Sequence, residues 1–241
     1  MIKLERTSVF NFENGIRGMR NPLESWDKSD SKYEKFWLCV DESGASGGNT
    51  FKELVESCGG FDIEFPESYD VQYVNDFQIG DKDLALMRKL AFAGSDHRKF
   101  LRQIMVSVDI TAPLYWWKEF DTYKVGTVAN SCSTMHTIHK RDLTLDDFSH
   151  EHVTSPAISA LHQIIAAINI LRRDFIETKD KECWYQMIQL LPSSYNQMRT
   201  VTLNYEVLLN QYHARKAHKL NEWHTYCDWV ESLPYFKEIC L

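Results

Sequence analysis

The feature that most constrains the fold is an alternating apolar segment followed directly by an aromatic-rich helical one. In LRQIMVSVDI, every second residue over positions 104–110 is apolar, which predicts a strand with one buried face. Pro113 follows and suits the first turn of a helix. Leu114, Trp117 and Phe120 then return near one helical face. A one-sided strand next to an amphipathic helix predicts a sheet packed with helices.

The N-terminal third is predicted to mix strands and helices. A helix over residues 81–94 has Asp81 at its start and Gly94 past its end. Residues 11–30 predict a helix interrupted by glycine, and residues 41–50 a flexible glycine-rich and serine-rich loop. The remaining alternating patterns predict strands over residues 2–10, 61–65 and 71–79.

The C-terminal half is predicted to be mainly helical. A long helix starts with Ser155 as its cap and Pro156 in its first turn, and a second helix ends at Pro192. Residues 200–233 are predicted as two further helical segments. With no linker visible, we expect one α/β (α+β) domain over residues 1–241, in which a mixed central sheet packs against helices.

Composition limits the classes of function. The formal net charge of −7 argues against a dominant nucleic-acid surface, and no apolar run reaches the length of a membrane helix. The N-terminus lacks the pattern of a signal peptide, so we expect a cytoplasmic protein. The six cysteines form no CxxC pair and are expected to be buried thiols rather than disulfides. For the histidines around His136 and His139, a solvated polar loop is favoured over a metal site, and no metal is predicted.

The segment KVGTVANSCSTMH follows the aromatic helix and is rich in small polar residues. Gly126 would let the backbone approach a ligand closely, and Lys124 would supply one positive charge. Hydroxyl and backbone N–H groups can bond phosphate or base oxygens. The alternative is an ordinary polar loop, because the glycine spacing of a Walker loop or a dinucleotide fingerprint is absent.

A second polar segment, NYEVLLNQYHARKAH, is predicted as an amphipathic helix. It carries Asn204, Asn210 and Arg215, and an arginine here can hold a phosphate or carbonyl by two hydrogen bonds. Alternatively, these residues form a solvated helix face.

Together the two segments resemble the flavin-dependent thymidylate synthases, which methylate dUMP using FAD. The family has the pattern R-H-R-x-x-S-x-N-E-x-S-x-R after an aromatic-rich helix often entered through Ala-Pro. Laid without gaps from Ala112, this pattern places its second arginine on Lys124, its first serine on Thr127 and its second serine on Cys132, and its Asn-Glu pair falls on Ala129 and Asn130. The family pattern N-x-R-x-x-x-N-x-x-x-x-R matches Asn204, Asn210 and Arg215, with Glu206 in place of its first arginine.

The resemblance implies an enzyme in which FAD carries the redox chemistry, NADPH supplies hydride and methylenetetrahydrofolate supplies carbon. It implies a homotetramer with shared sites, in which Trp116, Trp117 and Trp223 would be buried at an interface; for Trp116 and Trp117, packing in the core is the alternative. Arg215 is the expected catalytic contact to the base, and Lys124, Asn204 and Asn210 the expected flavin contacts. The expected nucleotide contacts are Glu119, Lys124, Thr127, Asn130, Cys132, Ser133 and Arg215.

The departures from the family leave alternatives open. The motif arginines are replaced by Thr122 and Thr134, so phosphate contacts would have to come from elsewhere, with Arg98, Arg102 and Arg199 as candidates. A register shifted by one residue would place Asn130, Ser131 and Ser133 on the family's Asn, Glu and second Ser. Cys132 is interpreted as a small residue rather than a nucleophile. The second hypothesis is a family member that binds a nucleotide or a protein partner without turnover.

Overall fold

The computed structural model describes residues 2–40, 46–49 and 70–241, with side chains for residues 2–34 and 77–241. The predicted strand at residues 61–65 and most of the predicted loop at 41–50 lie outside the described residues. The described strands are β1 (Lys3–Phe10), β2 (Lys32–Val40), β3 (Ser46–Asn49), β4 (Asp70–Gln78), β5 (Met105–Pro113), β6 (Val128–Ser131) and β7 (Asn196–Asn204). Residues 46–49 therefore form a strand within the predicted loop.

Helices cover much of the remaining described chain. The α-helices are α1 (Phe12–Arg20), α2 (Asp81–Phe92), α3 (Leu114–Phe120), α4 (Thr134–Thr137), α5 (Ser155–Thr178), α6 (Lys181–Leu190), α7 (Tyr205–Arg215), α8 (Asn221–Glu231) and α9 (Phe236–Cys240). Short 3-10 turns cover Asn21–Leu23, Trp26–Lys28, Lys99–Arg102 and Leu145–Asp147.

The central sheet is antiparallel, with strand order β1-β5-β7-β6. The alternation in β5 is as predicted: Ile104, just before the strand, and Val106, Val108 and Ile110 within it are at most 1% exposed. Their face packs into the main core with the aromatic side chains of α3 and α8. The combination of strands and helices confirms the predicted α+β class, but all described pairings of the central sheet are antiparallel where a mixed sheet was predicted.

The second sheet has the order β3-β2-β4 and meets α2 through Asp83. Asp83 is fully buried, with Arg20 Nη2 2.6 Å from its Oδ1, and it also accepts hydrogen bonds from Ser29 and Ser31. This network ties the chain entering β2 to α1 and α2. A second apolar cluster, which includes Ile165, Ile168 and Met187, lies between α5, α6 and the segment before them.

Several predictions are corrected by the structure. Residues 200–204 belong to β7 and not to a helix, because Val201 and Leu203 complete the buried face of the central sheet. Helix α1 runs through its glycines without interruption; at Gly15 a Cβ would lie only 3.1 Å from Ile104, so the small residue permits close packing. The N-cap of α5 is Thr154, one residue before the predicted Ser155.

The tryptophans expected at a subunit interface lie in the core of the chain itself. Trp116 and Trp223 are fully buried and Trp117 is 1% exposed. The ring centroids of Trp116 and Trp223 are 4.7 Å apart, and both rings also contact Tyr226. The interface prediction for these residues is wrong, and the core alternative for Trp116 and Trp117 is confirmed.

Candidate functional site

The two polar segments singled out from the sequence meet in the fold. Gly126 has a φ of +76°, and a Cβ at this position would lie 2.9 Å from Asn204 Nδ2 and 3.2 Å from Val207 Cγ2. A side chain would be strained by this backbone and blocked by these neighbours. The loop after α3 therefore rests directly on the start of α7, the helix that carries Asn210 and Arg215.

Arg215 is held by groups of its own chain. Its Nη1 lies 2.7 Å from Glu119 Oε2, and its Nε donates to the Tyr123 hydroxyl at 2.9 Å. Its guanidinium also stacks over the Trp223 ring, 4.8 Å from the centroid. Glu119 Oε2 further accepts from Trp223 Nε1 at 3.0 Å and lies 3.2 Å from His218 Nε2. These contacts hold the guanidinium group of Arg215 in one orientation, which a residue that positions a ligand requires.

The position at which the family pattern has an arginine is also ion-paired. Glu206 is 7% exposed, and its Oε2 lies 2.9 Å from Arg98 Nε. Arg98 Nη2 donates to Asn210 Oδ1 at 3.3 Å. The candidate Arg98 therefore neutralises Glu206 and orients the amide of Asn210.

The other two arginines proposed as replacements have different surroundings. Arg199 Nη1 lies 2.7 Å from Asp121 Oδ1, and its guanidinium lies 4.1 Å from the centroid of the Trp117 ring. Arg102 is exposed in the 3-10 turn that precedes β5. Arg98, Arg199 and Arg215 are each paired with a carboxylate, which reduces the positive charge that they offer to a phosphate.

A small cavity lies beside this cluster. Its volume is about 290 Å³, and it is lined by Phe120, Asp121, Tyr123, Lys124, Thr127 and Ala129. Lys124 is exposed, whereas the hydroxyl oxygen of Thr127 is buried and has no hydrogen-bond partner among the described residues. A buried hydroxyl without a partner is costly, so Thr127 is a position where a ligand atom or a water can complete the bonding.

The end of the predicted ligand segment lies elsewhere. Asn130 is exposed in the edge strand β6, and Ser133 is the N-cap residue of α4. Cys132 lines a larger cavity of about 750 Å³ between the central sheet and residues 137–151. It is exposed and not buried as predicted for the cysteines, whereas Cys227 and Cys240 are buried. The structure brings Lys124 and Thr127 together at the small cavity and joins Arg215 to its wall through the Tyr123 hydroxyl. Asn210 contacts Arg98 instead, and Cys132 lies at a different cavity. Their roles in binding stay predictions.

Asn204 differs most from expectation, because it ends β7 and caps α7 where an interior helical position was predicted. Its Oδ1 accepts from the backbone N–H of Val207 at 3.1 Å, and the residue is 7% exposed. Sequence reasoning also missed the roles of Asp121, Tyr123 and Trp223, which contact the arginines. It missed His218 as well, which contacts Glu119. Only a pattern of paired acidic and aromatic residues on separate helices would have indicated them.

Neither the buried thiols nor a metal site provides a further catalytic centre among the described residues. Burial raises the pKa of Cys227 to about 11 and the pKa of Cys240 to about 12, so both thiols are poor nucleophiles. Within the described part of the chain, no group of three or more His, Cys, Asp or Glu side chains is placed to hold a metal ion. A search of the described helices found none long and apolar enough to cross a membrane.

Comparison with known proteins gives a result at the level of structure. No family model and no curated protein sequence matches the chain. Among solved structures, thymidylate synthase X from Helicobacter pylori with FAD and dUMP has a TM-score of 0.60 and 13% identity, covering 100% of this chain and 97% of that chain. A second structure of flavin-dependent thymidylate synthase from Helicobacter pylori, complexed with FAD and dUMP, has a TM-score of 0.59 and 13% identity, covering 99% of this chain and 96% of that chain. The chain therefore has the fold of the flavin-dependent thymidylate synthases, as the sequence patterns predict.

Proposed function

We propose that this chain is a flavin-dependent thymidylate synthase-like enzyme that acts on dUMP or a related pyrimidine deoxynucleotide. The supporting observation is the contact of Gly126 with Asn204 and Val207, because it joins the two segments that carry the family resemblance. A fold alone does not determine a function, so the proposal depends on this site and not on the likeness of fold.

The small cavity of about 290 Å³ beside Arg215 is the proposed nucleotide cleft, and its polar side chains suit heterocyclic rings. Pyrimidine and flavin rings are recognised by hydrogen bonds from amides, hydroxyls and guanidinium groups. The cleft offers the Thr127 hydroxyl in its wall, and Arg215 lies behind Tyr123 at its edge. FAD, when bound, would supply the redox chemistry, with NADPH and methylenetetrahydrofolate as co-substrates. Asn204, Asn210 and Lys124 are the residues that we propose for the flavin side.

We assign the nucleotide side to Arg215 and the loop before β6. Arg215 would orient the base and polarise a base carbonyl, since its guanidinium is held in one direction. Lys124 would meet the phosphate, and Thr127 would use the hydroxyl that has no partner among the described residues. Glu119 belongs to the proposed site through its ion pair with Arg215. The predicted contacts Asn130, Cys132 and Ser133 do not line the cleft, so we do not assign them to the nucleotide.

The second candidate function is nucleotide binding without turnover. One observation favours it: Arg98, Arg199 and Arg215 are each paired with a carboxylate of this chain. The diphosphate of FAD needs several cations that are not already neutralised, whereas the exposed Lys124 can meet the single phosphate of a nucleotide. Under this hypothesis the chain keeps the fold and the base contact but has lost flavin chemistry.

Purified protein distinguishes the two functions. Visible flavin absorbance, together with dTMP formation from dUMP, methylenetetrahydrofolate and NADPH, is the result expected of the enzyme. A colourless protein that ignores added FAD but binds dUMP in calorimetry supports the second candidate. If neither FAD nor any pyrimidine nucleotide binds, both proposals are wrong. We also propose a single cytoplasmic domain that assembles into a homotetramer, which sedimentation analysis tests.

A further inference from the structure

A separate cavity lies where α1, the base of the second sheet and the C-terminal segment meet. Its volume is about 330 Å³, near the lower end of the range typical of small-molecule sites. None of its lining residues belongs to the proposed nucleotide site. The lining residues are Val9, Phe10, Asn11, Phe12, Glu13, Asn14, Tyr33, Phe77, Pro234 and Tyr235.

Five of the ten lining residues are aromatic. Tyr33 and Phe77 pack edge to face with centroids 5.1 Å apart, and Phe12 and Tyr235 do so at 5.7 Å. Phe10 is 46% exposed and Tyr33 is 59% exposed, which is unusual for large aromatic side chains lining one cavity. The negatively charged faces of aromatic rings favour a cation placed over them.

The charge of the cavity also favours a cation. Glu13 is exposed, and its Oε2 accepts a hydrogen bond from the Tyr33 hydroxyl at 2.8 Å. Among the described lining residues there is no lysine or arginine. The nearby Arg17 stacks on Trp26, with its guanidinium 5.3 Å from the centroid of that ring. A nucleotide would bring phosphate charge into a wall whose one charged side chain among the described lining residues is a carboxylate.

We propose that this cavity binds an organic cation with a guanidinium or methylated ammonium head. The head lies against the Tyr33 ring, and Glu13 supplies the opposite charge. Aromatic faces are the groups with which proteins recognise quaternary ammonium heads, and the carboxylate adds charge attraction. This cavity shares no lining residue with the nucleotide cleft, so the cation proposal can be tested independently of the proposed function.

The direct test is a ligand-observed NMR titration of the full chain with tetramethylammonium and with agmatine. We expect saturable binding of at least one of these cations. Neutral tert-butanol serves as a shape control and AMP as a nucleotide control. Equal binding of tert-butanol, or tighter binding of AMP, would overturn the cation assignment, and so would no saturation by either cation.

Variants locate the binding site. Tyr33→Leu keeps an apolar side chain but removes the aromatic face, and Glu13→Gln removes the charge; each is expected to weaken cation binding about fivefold or more. Tyr33→Phe keeps the ring and is expected to stay within about twofold. Tyr185→Leu, at an exposed tyrosine on α6, is the matched control. Unchanged affinity in both Tyr33→Leu and Glu13→Gln would contradict the proposal.

The same titration separates two sources of the cation. A peptide with one trimethyl-lysine that binds more tightly than free tetramethylammonium assigns the head group to a protein side chain. Equal or weaker binding of the peptide assigns it to a free small molecule. In both cases the head group must lose affinity in Tyr33→Leu; retention of full affinity there would refute the site.

Discussion

Arg215 and Glu119 lie on different helices, and their ion pair spans 2.7 Å between Nη1 and Oε2. The same carboxylate oxygen accepts from Trp223 Nε1, so one group joins three helices. Both side chains are half-buried, with 17% and 33% of their side-chain surface exposed. The pair therefore serves the fold as well as the proposed site, and variants must separate the two.

Glu119→Gln is expected to lower the free energy of unfolding by about 1–2 kcal/mol. The substitution leaves the half-buried guanidinium of Arg215 without its counter-charge, while partial exposure of the pair limits the loss. Urea denaturation measures it. Glu177→Gln, at an exposed glutamate near the end of α5, is the control and should change little. Equal stability of the two variants would show that the ion pair contributes nothing.

Arg215→Ala is expected to weaken dUMP binding by about 1.5–3 kcal/mol if the arginine makes a charge-assisted bond to the nucleotide. Isothermal titration calorimetry measures the change. Lys216→Ala is the matched control, because the ammonium of the neighbouring Lys216 lies over the Tyr212 ring. An unchanged titration curve for Arg215→Ala would remove this residue from the nucleotide site.

Thr127→Val is expected to stabilise the ligand-free protein by about 1 kcal/mol, because it removes a buried hydroxyl without a described partner. Thr137→Val is the comparison: the Thr137 hydroxyl donates to the Ser133 carbonyl at 2.8 Å, so its loss should be destabilising. Thermal unfolding gives both signs. If Thr127 bonds a ligand, the valine variant also binds dUMP more weakly; a destabilised Thr127→Val would contradict the first expectation.

Asp83 makes stability depend on acid pH. Burial alone would raise the pKa of Asp83, but hydrogen bonds from Ser29, Ser31 and Arg20 outweigh it and hold the pKa below its ordinary value. Because the folded pKa lies below the unfolded one, this stabilisation is complete above about pH 5 and is lost as pH falls below about 4.

Asp83→Asn is therefore expected to cost about 3–5 kcal/mol at neutral pH and to flatten the acid limb of a stability profile between about pH 5 and pH 3. Asp96→Asn, at an exposed loop aspartate, should keep the limb of the parent protein. The measurement is urea denaturation at a series of pH values. An acid limb of Asp83→Asn as steep as that of the parent would assign the acid sensitivity to other groups.

Periodicity predicted the elements whose burial is one-sided. β5 and α5 were predictable because apolar residues recur with the period of the element itself. β7 was not predictable in its second half, because the letters TVTLN before YEVLL continue into a helix without a break. Only pairing with β5 on one side and β6 on the other makes residues 200–204 a strand.

The site was predictable only in outline. The spacing of Asn204, Asn210 and Arg215 located α7, and Gly126 located the loop that contacts it. The partners Glu119, Arg98 and Asp121 determine how each arginine points, and they come from distant positions of the chain. Such pairs leave no local pattern, because the contact depends on how α3 and α7 pack and not on the sequence near either residue.

Asn204 caps α7, and the same side chain lies against the loop that carries Gly126. A ligand bound at this loop can therefore change how often the first turn of α7 opens. Asn204 uses its Oδ1 to hold the Val207 amide and its Nδ2 to face Gly126. A ligand that forms a hydrogen bond with the Asn204 amide either leaves the cap hydrogen bond to Val207 intact or breaks it. Hydrogen–deuterium exchange at the Val207 amide would rise if ligand binding breaks the cap and fall if binding stabilises it. This one backbone amide therefore measures how ligand binding affects the cap.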